Sequence, residues 1–229
     1  MNNADIRRAA ESEWGLLHRR AHARLRAGGA AALTLTLVSV CLVLLFAAAD
    51  GFPGGADLVS RIGVIRATDP WHVALLRLPV SIFVPAIGLP WWAAVLLVLL
   101  AFGTAELTLG PWRTLAVGYT CSLVGTWYAH VGVSRPPGHL LHLPAEFAEV
   151  RDTGPSAAVI GLSLLVAWRF GARWTALAVA LLTATITAVD PELAGYEHLA
   201  ALVTAAALLL ADGVARSAYG SPAVAPRPR

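Results

Sequence analysis

Apolar residues along this chain come in long unbroken runs rather than one-sided stripes, and charged residues, Gly and Pro cut the runs into six pieces at 30–49, 91–107, 114–133, 155–167, 174–189 and 195–210. A helix crossing a bilayer takes about 20 apolar residues, so the pattern predicts an all-α, polytopic membrane protein of six transmembrane helices, the fourth of them short. The outer connections at 50–90 and 134–154 are long. Within the first, 71–87 is largely apolar but interrupted by Pro79 and Pro85, which block a straight helix; an interfacial or re-entrant element is predicted there rather than a seventh span. The chain divides into an Arg-rich amino-terminal segment at 1–27, a membrane domain at 28–212 and a Pro-rich tail at 213–229, the last expected to be disordered.

Composition agrees with the bilayer as solvent, since 57% of the 229 residues are apolar and 14% charged, against roughly 45–50% and about 25% in water-soluble domains. The formal charge is +3, and all 17 cations are arginine. They sit at the ends of apolar runs rather than on a soluble face, which excludes a nucleic-acid reader and makes them topology markers. Twelve arginines fall in the first segment, the short links and the tail, and five in the long connections, so both termini are expected in the cytoplasm of a multi-pass cell-membrane protein. Cys41 and Cys121 lie inside runs and read as packing residues.

Depth singles out a hydroxyl and an imidazole. Ser156 lies 13 residues from Arg169, which marks the inner end of its run, and His198 lies 14 from Asp212; at about 1.5 Å per residue both stand roughly 20 Å above the inner boundary. Serine becomes a nucleophile when a base takes its proton, and histidine is the usual base. Ser156 follows Asp152-Thr153-Gly154-Pro155, a helix-start pattern that leaves backbone N–H groups facing the hydroxyl, where an oxyanion is stabilised. The plainer alternative is a serine bonded to its own helix and a packed histidine. Glu197 adjoins His198 but points about 100° away on a helix, so no third member is named.

Further residues carry a family likeness. Phe102-Gly103-Thr104-Ala105-Glu106, with Gly110 and Arg113 after it, resembles the run at the inner end of the second span in the rhomboid family of intramembrane serine proteases. Leu76-Arg77-Leu78 is similar to that family's Trp-Arg element in the first outer loop, and Gly154-Pro155-Ser156-Ala157, with Gly161 following, to its Gly-x-Ser-Gly nucleophile segment. His198 falls in the sixth span, where rhomboids carry their base. The resemblance covers about 76–205 and implies a rhomboid-like six-helix bundle with Ser156 as nucleophile, His198 as general base, Gly154 and Ala157 around the oxyanion, and Glu106 and Arg77 in structural roles. It implies cleavage of transmembrane protein substrates without a cofactor. The other reading is an inactive relative that binds or escorts membrane proteins.

Pro90 and Ala94 stand where active rhomboids commonly have His and Asn donors to the oxyanion, and neither has a donating side chain. Trp91 or Trp92, each with an indole N–H, is a substitute donor. Ala157, Ala201 and Ala205 replace small Gly steps and still allow close helix approach. His139, His142, Glu146 and Glu149 lack metalloprotease spacing, and no metal site is assigned to them. Glu106 is the acid placed squarely inside a run, and Trp91, Trp92, Trp112, Trp127, Trp168 and Trp174 lie mostly at run ends, as an interfacial belt does. Internal symmetry and paired mid-membrane charges, which a transporter needs, are not evident in the sequence.

Overall fold

The computed structural model describes residues 3–86 and 88–219, and these build an all-helical bundle. Helix α1 (Asn3–Gly28) passes through a 3-10 turn, Gly29–Leu33, into α2 (Thr34–Asp50); α3 (Gly55–Gly63) and α4 (Trp71–Ser81) follow. Then come α5 (Trp91–Leu109), α6 (Pro111–Val133), α7 (Ser156–Arg169), α8 (Arg173–Val189) and α9 (Leu193–Tyr219). Each of the six apolar runs lies on a helix. Among the described residues three helical stretches are long and apolar enough to cross a membrane, Arg7–Asp50, Trp91–Leu109 and Leu193–Val214. Helix α7, with 14 residues, rises only about 21 Å, well short of the roughly 30 Å hydrocarbon core. Helix α9 continues to Tyr219, past the expected boundary at 212, and the tail from 221 lies outside the described residues.

Proline shapes α4 differently from the expectation. Pro79 lies inside the helix, in its last turn, where it disturbs only a turn that ends at Ser81. The chain then turns through Ile82–Val84, lined inward by buried Ile82, Phe83 and Val84. The two long connections meet in an antiparallel bridge: Ile65 N–H donates to Asp152 O (3.1 Å) and Asp152 N–H to Ile65 O (2.8 Å).

Two glutamates hold the starts of neighbouring helices in place. Glu106 on α5 is 2% exposed and reaches the start of α2, where Oε1 accepts Leu35 N–H at 2.9 Å and Oε2 accepts Thr36 N–H at 2.8 Å and Thr36 Oγ1–H at 2.7 Å. Glu13 on α1 does the same for α8, accepting Thr175 N–H at 2.7 Å, while Trp14 Nε1 donates to Thr175 Oγ1 at 2.8 Å. The first N–H groups of a helix lack partners within it, and a carboxylate also answers the positive helix end. The amino-terminal segment is therefore docked structure.

Helices α6, α7 and α9 form the tightest contact in the bundle. Gly161 on α7 lies so close to α6 that a Cβ there would sit 2.3 Å from Cys121 Sγ, and Ala201 and Ala205 of α9, both 0% exposed, pack on the same joint. We expect Gly161→Ala to destabilise the protein by about 1–3 kcal/mol through overpacking. Adding Cys121→Ala should recover part of that loss, because it removes the sulfur at 2.3 Å but leaves the Cys121 Cβ 2.9 Å from the new methyl. Thermal unfolding of the two single variants and the double variant checks this.

Candidate functional site

Ser156 is the first residue of α7, after Pro155 at the cap position. The turn that delivers it runs through Gly154 at φ +114°, a conformation that side chains resist, and a Cβ there would lie 3.2 Å from Ala86 Cβ. Gly154 N–H donates to Ser81 O at 3.0 Å, which fixes the turn to the end of α4. No side chain caps α7, so its first backbone N–H groups remain as donors beside the hydroxyl.

Two cavities meet at Ser156. One, of about 20 Å³, is lined by Ser81, Ser122, Thr126, Asp152, Ala157 and Glu197 among others; the second, of about 440 Å³, by Arg151, Asp152, Thr153, Glu192 and Glu197 with apolar neighbours. The residue of α9 that shares both cavities with Ser156 is Glu197, 5% exposed. His198 follows it in the chain, and its Nε2 is buried without a hydrogen-bond partner, so no hydrogen bond joins that nitrogen to Ser156 Oγ. An ion pair between Arg169 and Asp212 ties the last residue of α7 to α9. The two depth rulers therefore share an origin, and counting from it puts Ser156 and His198 about 20 and 21 Å up their helices.

Sequence reasoning missed the carboxyl pair. Asp152 and Glu197 lie within hydrogen-bonding reach of each other, and Thr126 Oγ1 donates to Asp152 Oδ2 at 3.3 Å. Two carboxyls can bond directly only through a proton carried by one of them. Burial pushes the Asp152 carboxyl above its ordinary value, while hydrogen bonds from Glu197 and Thr126 and the charge of His130 pull it part of the way back. The available signal was position: Glu197 lies more than a turn inside α9, an ionisable group inside an apolar helix.

The direction of that shift has a consequence for stability. A carboxyl that holds its proton more tightly when folded stabilises the fold below the ordinary carboxylate value, and this contribution is lost as pH rises through the raised value. Asp152→Asn keeps a hydrogen-bond donor toward Glu197 at every pH. We expect it to flatten the acid-side dependence of the melting temperature and to raise that temperature near neutrality by about 2–4 °C, the equivalent of about 1 kcal/mol in a chain this long.

The remaining site residues are spread out. Arg77 Nη1 donates to Val64 O (3.0 Å) and to Asp69 Oδ2 (3.1 Å), bracing the first outer loop. Pro90 caps α5 without an N–H, and Ala94 is 0% exposed within an apolar cluster. Trp91 and Trp92 are 55% and 58% exposed and line neither cavity at Ser156. His142 Nδ1 contacts Arg135 O at 2.7 Å and His139 Nδ1 accepts Leu141 N–H at 3.1 Å, each within its own loop. Comparison with protein-family models, curated proteins and solved structures gives no match.

Proposed function

We propose that this chain is a six-span, rhomboid-like protein of the cell membrane, with both termini cytoplasmic, that cleaves transmembrane substrates as a serine peptidase. The observation that carries the reading is a serine hydroxyl at the uncapped start of α7, opening on a cavity of about 440 Å³ beside the helix that bears His198. Ser156 Oγ attacks the substrate's peptide carbonyl and His198 takes its proton. The C–N bond then breaks, the leaving amine receives that proton, and water hydrolyses the acyl ester. The oxyanion rests on backbone N–H groups at the start of α7. The short α7 supports the reading too, because a helix that begins below the outer surface leaves water a way in.

One observation favours a second reading, a client-binding relative without activity: Pro90 and Ala94 offer the oxyanion no side-chain donor, and one lost donor typically costs roughly 10²–10³ in rate. A serine-directed fluorophosphonate separates the two. The detergent-solubilised protein should be labelled at Ser156, located by peptide mass spectrometry, and Ser156→Ala should be unlabelled. A folded sample that neither labels nor cleaves a panel of transmembrane substrates supports the binding reading.

A further inference from the structure

The smaller cavity has a chemistry of its own that does not depend on peptidase activity. Its polar side chains all bear oxygen, the carboxyls of Asp152 and Glu197 and the hydroxyls of Ser81, Ser122, Thr126 and Ser156. Two of these oxygens are stranded. Glu197 Oε1 and, independently on α6, Ser122 Oγ are buried without a hydrogen-bond partner, in residues only 5% and 7% exposed. Buried polar atoms are rarely left so, and each unsatisfied one calls for a partner. A space of about 20 Å³ takes a single particle the size of a water molecule.

Charge decides which particle. Two carboxyls, Asp152 and Glu197, line this cavity and no cationic side chain does. On α6, His130 is turned to Thr126 O and Asp69 O; on α4, Arg77 is held by Val64 O and Asp69. Arg151 and Glu192 line the larger cavity instead, and His198 lines neither. A cluster of carboxyl and hydroxyl oxygens with no cationic side chain among them suits a hard cation. We propose that this cavity binds one sodium ion, held by Glu197 Oε1, the Asp152 carboxyl and the hydroxyls of Ser122 and Ser156, with the proton as its competitor. The ion joins α6, α7, α9 and the turn before α7, so its occupancy stiffens the surroundings of Ser156.

The test is thermal unfolding of the full-length detergent-solubilised protein at fixed ionic strength, with NaCl exchanged for KCl or N-methylglucamine chloride. A ligand that binds only the folded state raises the melting temperature in a saturable way. At about pH 8 sodium should do so, while potassium, which needs longer bonds to the surrounding oxygens, should do so only at much higher concentration. Near pH 5 the sodium concentration at half-effect should rise about tenfold as protons compete. Glu197→Gln should abolish the sodium effect. Ser122→Ala, which leaves both acids in place, should raise the half-effect concentration about fivefold and keeps the test decisive if Glu197→Gln does not fold. An equal rise with potassium, a sodium effect that persists in Glu197→Gln or is unmoved by Ser122→Ala, or a pH dependence with no response to sodium overturns the proposal. None of these outcomes depends on whether Ser156 reacts with a fluorophosphonate.

Discussion

His198→Ala is expected to slow fluorophosphonate labelling of Ser156 by about 10²–10⁴, the range that general-base assistance commonly supplies. Beside Ser156, the Asp152 carboxyl is directed to Thr126 and Glu197 rather than to the Ser156 hydroxyl. The His198 Nε2, in contrast, is a buried nitrogen with no partner, on the helix packed against α7. As the base of the proposed mechanism, this nitrogen would gain from the Ser156 hydroxyl a hydrogen bond that it lacks in the resting structure. Glu197→Gln provides the internal comparison, because a substitution that removes negative charge but leaves the imidazole should keep labelling within about tenfold of wild type. If His198→Ala labels normally and Glu197→Gln does not, the base is the carboxyl.

How much of this was legible beforehand differs between fold and site. Every apolar run became a helix, because in lipid the backbone must satisfy itself and run length alone selects the helical segments. Pro79 was harder to interpret: proline forbids a continuing helix, but nothing local says whether a short helix ends just beyond it. The amino-terminal segment carries so much charge that its docking through Glu13, Trp14 and Leu17 left no trace in the pattern of hydrophobicity.

At the site, sequence spacing placed Ser156 and His198 at one height, and the Arg169–Asp212 pair supplies a common origin for that count. Spacing along one helix says nothing, however, about which side of it faces a neighbour. Glu197 and His198 differ by one residue, about 100° of rotation, and the face was set by the small residues Gly125, Gly161, Ala201 and Ala205, which determine how α6, α7 and α9 nest. Gly125 receives the Cβ of Glu197 at 3.3 Å from where its own would be, and that contact turns the carboxyl toward Asp152. The pairing is long-range, 45 positions apart in the chain.

The largest stability effect should fall far from this site, at Glu106. Its carboxylate satisfies three donors at the start of α2, the N–H groups of Leu35 and Thr36 and the Thr36 hydroxyl, and both Glu106 and Thr36 are buried. Glu106→Ala strands all three donors and opens a void against the packed 3-10 turn. Each unsatisfied buried group costs about 1–3 kcal/mol, although neighbours relax and the costs do not add fully. A total of about 3–5 kcal/mol is expected, a fall in melting temperature on the order of 10 °C for a chain of this length. Glu106→Gln separates hydrogen bonding from charge. Its carbonyl oxygen can serve the donors nearest one carboxylate oxygen, while its NH₂ group points a donor at another donor, so it should lose about half as much. Equal losses in both variants would assign the effect to the carboxylate's charge at the helix start rather than to the count of bonds, and thermal unfolding of the two variants side by side distinguishes these accounts.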